Sequence, residues 1–329
     1  MIALFVHNEM ETSMVKVIPA RKGGSPEWRV EYQAKNPPDI YFDTNVWIGM
    51  NDEDVKILEE LERSRGFRYH YSITNYCELL CHFEDSPSPD CREPFAKYRR
   101  CLLRIVQLCY GEVLPSPEME FLHMVGLEKY LHPAWVPNVR QIALGIEVAA
   151  NAASLSELMG EGNDQLAGSL RYVVKPGHYR KLRDTDGESF VKIMDLLKGI
   201  AAPIRGADSD KLDKLFVWFM NVAQFFLLVR PSNGQTTYDL LQPEEKERFT
   251  KAFYDGTGKL FHIHCVQIAK TTINDRRSID PNDLYDAMQL LYLRDPNRLF
   301  VTADRFFYRY EISPEIQGVI PWSVFKSSK

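Results

Sequence analysis

Three short stretches, the apolar run Ile2–Val6, the largely apolar Met14–Ile18 and the alternating Trp28–Tyr32, predict β-strands at the start of the chain. Arg21-Lys22-Gly23-Gly24-Ser25-Pro26 reads as the connection between the last two, so residues 1–38 are an expected N-terminal β extension. After Pro37-Pro38 the continuous apolar run Ile40-Tyr41-Phe42 suits a strand buried on both faces, and it stops abruptly at Asp43-Thr44-Asn45. Helical spacing follows over Glu53–Ser64 (Val55, Leu58, Leu61) and ends near Gly66. Phe67–Tyr71 then reads as a strand and Thr74–Phe83 as a helix. This β-α-β-α alternation predicts a parallel sheet covered by helices.

The pattern changes after Asp85. Beyond the loop Ser86-Pro87-Ser88-Pro89-Asp90, nearly everything from Pro94 to about Lys270 has helical periodicity. Breaks fall at Pro115 and Pro117, Pro133 and Pro137, Pro203, and Pro231 with Gly234. The clearest helices are Phe95–Cys109, Val139–Leu158, Glu188–Lys198, Lys211–Val229 and Glu244–Tyr254. Helix–strand alternation returns with helix Pro281–Leu293, strand Leu299–Thr302, short helix Asp304–Tyr310 and strand Gly318–Trp322. The expected architecture is an α/β domain in two halves, 39–85 and 271–329, interrupted by an all-helical insertion over 86–270 of domain size.

Composition adds little beyond this. The 329 residues are 45% hydrophobic and 26% charged, which excludes a disordered or low-complexity chain. No apolar run is long enough to span a bilayer, and Met1–Val6 is too short and too soon followed by polar residues to read as a signal peptide. Six thinly spread cysteines suit reduced thiols, and the expected location is the cytoplasm, with no membrane partner. The formal charge of −5 means that a nucleic-acid partner must be met by local basic clusters.

Four carboxylates carry the candidate chemistry. Asp43 ends one expected strand and Asp304 follows another, and open parallel sheets bind ligands beyond the carboxyl ends of their strands. Glu78 and Asp286 sit on helices, each on the side away from that helix's apolar residues. Converging carboxylates repel one another unless protonated or neutralised by a cation. Magnesium and manganese prefer carboxylate and water oxygens, and such ions activate water against phosphodiesters.

Asp43-Thr44-Asn45-Val46, Glu78 within Thr74-Asn75-Tyr76-Cys77-Glu78-Leu79-Leu80, Asp286-Ala287-Met288-Gln289 and Val301-Thr302-Ala303-Asp304 together resemble the motif set of PIN-domain nucleases. The likeness covers roughly residues 39–85 and 275–325. It implies a three-layer α/β/α fold with a small parallel sheet and a Mg²⁺- or Mn²⁺-dependent endonuclease, usually acting on RNA. The matching acids Asp43, Glu78, Asp286 and Asp304 would hold the metal and its water nucleophile, supported by Thr302, Thr44 and Asn45. The helical insertion departs from compact members of the family. It leaves room for a regulated or toxin-like effector, an inhibitor or antitoxin-like partner, or a homo-oligomer.

Each acid also has a plain structural role open to it. Asn75-x-x-Glu78 fits a capping box, Asp304 a helix N-cap, and Asp43 a turn residue bonding its own backbone. Asp280-Pro281-Asn282-Asp283 reads as a cap and first turn, which explains Asp283 and leaves it only an auxiliary metal role beside Asp286. Cys77, Cys81, His82 and Cys91, and His262, His264 and Cys265, match no closed zinc pattern. Candidate phosphate contacts are Arg276, Arg277 and Arg305, with Lys175 and Arg180 in a stretch that interleaves cations with Tyr179. The alternatives are a non-catalytic RNA- or protein-binding module and a DNA or structure-specific nuclease. A haloacid-dehalogenase-type phosphatase needs a second Asp where this chain has Asn45.

Overall fold

The computed structural model describes residues 2–7, 14–18, 27–110, 113–130, 139–160, 174–201, 241–254, 258–274, 280, 282–294, 297–304, 307 and 318–327. The chain forms two compact units. The first comprises Met1–Pro115, Pro137–Arg180 and Asp295–Lys329, and the second Ser116–Val136 and Lys181–Arg294. The expected insertion over 86–270 is thus divided between the two, and residues 271–294 belong to the second.

In the first unit, β1 (Ile2–His7), β2 (Met14–Ile18) and β3 (Glu27–Gln33) make a three-stranded sheet ordered β1-β3-β2. β1 runs parallel to β3 and β2 antiparallel to it. Tyr32 of β3 is buried, its ring 5.5 Å from that of Phe67.

The second sheet contains β4 (Asp39–Phe42), β5 (Arg68–Ser72), β6 (Val113–Leu114), β7 (Arg298–Thr302) and β8 (Val319–Pro321). Its order is β6-β5-β4-β7-β8 and every pairing is parallel. The chain leaves β4 toward β5 and β6 on one side and later fills β7 and β8 on the other. The direction of winding therefore reverses between β4 and β7, where a crevice opens at the carboxyl ends of such strands. Every residue of β4 and β7 is buried, as a sheet covered on both faces requires.

The helices of the first unit follow from local signals. α1 (Thr44–Gly49) starts directly after β4, and α2 (Asp52–Arg65) opens with a capping box between Asn51 and Asp54. Gly66 closes α2 at φ 72°, its N–H reaching the Glu62 carbonyl at 2.8 Å. α3 (Ile73–Cys81) follows β5, and α4 (Pro94–Cys109) packs against α1, α2, α3 and β5. Arg104 of α4 donates to the Met50 carbonyl and to Asp52 at 2.8 Å, fixing the α1–α2 corner. α5 (Pro117–Met124) belongs to the second unit, whereas α6 (Val139–Asn151) and α7 (Leu155–Met159) belong to the first. Phe42 anchors the core, its ring 5.2 Å from Trp47, 5.5 Å from Tyr69 and 5.8 Å from Trp322. Trp47 is a core residue with no exposed surface.

α8 (Pro176–Ala201) counts with the first unit up to Arg180 and with the second from Lys181. The second unit adds α9 (Pro243–Tyr254), α10 (Lys259–Asn274) and α11 (Asp283–Gln289). α10 packs on α9 and α11, and Phe121 of α5 meets Phe249 of α9 at 5.9 Å. Glu245 is held by Lys129 at 2.5 Å and Tyr130 at 2.7 Å. The chain ends with α12 (Trp322–Phe325) in the first unit.

Some expected elements differ. The helix expected over Val139–Leu158 divides in two because Ser154 caps α7, accepting from the Glu157 N–H at 3.1 Å. Pro117 begins a helix where it was expected to break one, since the first turn needs no proline N–H. The helix expected over Pro281–Leu293 is α-helical only to Gln289 and continues as a 3₁₀ turn to Arg294. The expected helix Lys211–Val229 and most of Asp304–Tyr310 lie outside the described residues. Among the described residues, no helix is long and apolar enough to cross a membrane.

A candidate acidic site at the strand ends

Asp43 occupies the N-cap position of α1, yet its side chain makes no capping bond. Its backbone N–H continues the β4–β7 ladder to the Val301 carbonyl at 2.9 Å, which brings it alongside Thr302. The Thr302 hydroxyl donates to Asp43 Oδ2 at 2.8 Å. Asp43 is 1% exposed and Thr302 fully buried. Asp is a favoured N-cap because its carboxylate satisfies helix N–H groups. Here that carboxylate is turned instead toward the winding reversal of the sheet.

Glu78 is reached from the other side. Ser72, the last residue of β5, caps α3 and forms a capping box with Asn75. The expected capping role of Glu78 is therefore filled by a different pair. Glu78 accepts a hydrogen bond from the Thr44 hydroxyl instead. Asn75 ties the elements together: its Nδ2 donates to Thr44 Oγ1 at 2.9 Å and to the Phe42 carbonyl at 3.2 Å, and its Oδ1 accepts from the Ser72 N–H at 2.9 Å. Tyr41 and Ser72 share a hydroxyl–hydroxyl bond of 3.0 Å. Burial raises the Tyr41 phenol well above its ordinary range, and the charges of Glu78 and Asp43 push it the same way. Both carboxylates thus act on one phenol oxygen.

Asp304 joins through its backbone, donating its N–H to Thr302 Oγ1 at 2.9 Å. That turn accounts for the backbone of Asp304 and leaves its carboxylate out of the bond. Asn45 is exposed at the start of α1. Asp43, Thr44, Glu78, Thr302 and Asp304 stand out in the sequence, whereas Asn75 shows there only as a capping residue. Its bridging role, and that of Tyr41, depend on strand pairing that no local pattern encodes.

Asp283 and Asp286 lie on α11 in the second unit. Asp283 accepts the Asp280 N–H at 3.0 Å while the Asp280 carboxylate accepts the Asn282 N–H at 2.9 Å, a reciprocal cap that occupies one Asp283 oxygen. Asp286 is half-buried, one turn further along. Arg276, Arg277 and Arg305 lie outside the described residues. Lys175 is exposed. Arg180 meets the end of α3 through Nη2, donating to the Cys81 carbonyl and pairing with Asp85 at 2.7 Å. Tyr179 is buried edge-on to Tyr76 with centroids 6.0 Å apart, so it offers no stacking surface. None of the six cysteines is in a disulfide.

Among the described residues, no group of three or more His, Cys, Asp or Glu side chains is arranged to hold a metal ion. Asp43 and Glu78 are nonetheless hard oxygen donors, and Mg²⁺ is commonly bound through one or two carboxylates, with water and substrate phosphate completing its shell. By donor type the pair fits such an ion. The strand order defines an α/β protein with a parallel, doubly wound sheet. Set against known protein families, curated proteins and solved structures, the chain matches none of them.

Proposed function

We propose that the chain is a divalent-metal-dependent endoribonuclease whose chemistry is centred on Asp43 and Glu78, with Asp304 one hydroxyl away. The observation that carries this reading is the buried Asp43 carboxylate, placed at a helix start but withheld from capping and aimed at the sheet's reversal point. A carboxylate buried there is costly unless a cation or strong donors compensate it. The resemblance of the surrounding segments to PIN-domain nucleases supplies the substrate class. Magnesium or manganese, when bound, supplies Lewis-acid stabilisation of the phosphate and an activated water. In this reading Thr302 orients Asp43, and Thr44 orients Glu78. Cleavage leaves a 5′-phosphate and a 3′-hydroxyl. With a net charge of −5, an enzyme acting on a polyanion has to rely on local cations.

The test is cleavage of single-stranded RNA, single-stranded DNA and flap substrates by the purified chain, in Mn²⁺ and in chelator. The expected result is Mn²⁺-dependent cleavage of RNA, reduced more than about 100-fold by Asp43→Asn. A second reading, a non-catalytic RNA- or protein-binding module of the same fold, is favoured by the lack of a three-ligand group among the described residues. It predicts RNA binding with no cleavage in Mn²⁺.

A further inference from the structure

The C-terminal end of α3 carries a cluster that the strand-end acids leave unused. His82 follows Glu78 by four residues, one helical turn further along the same face. Its ring is fixed twice: Nδ1 bonds Asp85 Oδ2 at 2.6 Å, and the ring stacks on Tyr98 with centroids 4.7 Å apart and planes 18° from parallel. Asp85 is held in turn by Arg180 Nη2. Tyr98 is buried, whereas the His82 side chain keeps 30% of its surface, so His82 is the solvent-accessible member of the stack. The bonds Arg180 makes to Cys81 and Asp85 use Nη2 alone, and its side chain is 39% exposed. A guanidinium has five donors, so among the described residues Nε and Nη1 remain to meet an anion. Lys97 adds a second cation, 5.2 Å from the Tyr98 ring centre.

Together these features are a partly exposed flat ring, immobilised before any ligand arrives, beside an oriented cation. Single-stranded nucleic acids are held by this combination, with bases stacked on rings and phosphates on arginines. We propose that His82 and Arg180 form a nucleotide subsite for single-stranded RNA, a base stacking on His82 and the backbone phosphate meeting Arg180. The proposal rests on the reading of the chain as a ribonuclease for its choice of ligand, and its binding step is separable from cleavage. Asp85 positions both residues and does not touch the RNA.

The experiment is fluorescence anisotropy of a labelled single-stranded RNA with the full chain in chelator, where metal-dependent cleavage is silent. His82→Ala weakens binding about 5- to 30-fold, the loss expected for one stacked base. His82→Phe, which keeps a flat ring but loses the Asp85 bond, restores binding to within about threefold of wild type. Arg180→Gln reduces the slope of log affinity against log salt by about 0.7, one phosphate contact on a single strand. A probe with abasic positions, read on the unmodified protein, binds at least about fivefold more weakly than its parent, which keeps the test valid if a variant misfolds. Equal binding by wild type and His82→Ala, equal weakness of His82→Phe and His82→Ala, an insensitive abasic probe, or no RNA binding by wild type each overturn the subsite. Stacking losses without cleavage in Mn²⁺ uphold the subsite and overturn the nuclease reading. Cleavage in Mn²⁺ with unchanged His82→Ala affinity does the reverse.

Discussion

Thr302 donates its hydroxyl to Asp43 across 259 positions of sequence, at 2.8 Å, while accepting the Asp304 N–H at 2.9 Å. One buried side chain therefore holds the Asp43 carboxylate and the Asp304 backbone. Thr302→Val keeps the branched shape of the strand residue but removes both bonds. It is expected to destabilise the fold by about 1–3 kcal/mol, the cost of leaving buried polar groups unpaired. Cleavage is expected to fall about 10-fold or more, since the carboxylate loses its orientation. Urea unfolding and turnover rates check the two effects separately. A variant with wild-type stability and rate removes Thr302 from the account.

Asn75 is the hub between β4, β5 and α3. Its amide serves Ser72, Thr44 and the Phe42 carbonyl at once, and the residue is fully buried. Asn75→Ala is expected to cost about 2–4 kcal/mol, because several buried partners lose their bonds together. Asn75→Asp is expected to be no better, since a carboxylate has no donor for Thr44 or Phe42 and adds charge beside Glu78. Chemical denaturation of both variants decides this, and a loss below about 0.5 kcal/mol for Asn75→Ala contradicts it.

Acid sensitivity has a specific source in the second unit. Burial lowers the His262 imidazole to about 4, from an ordinary value near 6.5. Between those values the unfolded chain binds a proton that the folded chain refuses, so stability falls as pH drops through that window and is level on either side. The contribution lost between pH 7.5 and pH 5 is about 2 kcal/mol. His262→Phe is expected to lessen the difference between urea unfolding curves at these two pH values by that amount. Identical pH sensitivity in both proteins contradicts it.

Asp43 makes a prediction of the opposite sign from most buried polar residues. Without metal its carboxylate is a buried charge, and the charge of Glu78 acts on the same Tyr41 phenol, so Asp43→Asn in chelator is expected to melt at or above the wild-type temperature. In Mn²⁺ the order reverses, because only wild type gains binding energy in the folded state. Melting curves with and without Mn²⁺ provide the check. A clear loss of stability in chelator would mean that Asp43 is a structural acid fully paired inside the protein.

Much of the first unit is legible in the chain. Ile40-Tyr41-Phe42 and Leu299–Thr302 are short apolar runs bounded by polar stops, and they form β4 and β7 within one residue of the expected limits. Val113–Leu114 is two residues long, too short for periodicity to register, and becomes a strand because Tyr71 and Ser72 offer it an open edge. The site divides along the same line. Asp43 and Glu78 are visible because an acid at a strand end or on a helix's polar side breaks an apolar pattern. Their partners Thr44 and Asn75 look like ordinary helix-start residues until β4 and β5 are paired. The capping reading of Glu78 fails because Ser72, one turn earlier, is the better-placed cap. The same reading of Asp283 succeeds because its cap is local to one turn.

The proposed function requires Asp43 and Glu78 to share a divalent ion, which Mn²⁺ binding followed by electron paramagnetic resonance measures. Titrating Mn²⁺ into wild type, Asp43→Asn and Glu78→Gln should give saturable loss of the free-ion signal in wild type and at least about 10-fold weaker binding in each variant. Equal Mn²⁺ uptake by all three proteins, or none by wild type, would contradict it.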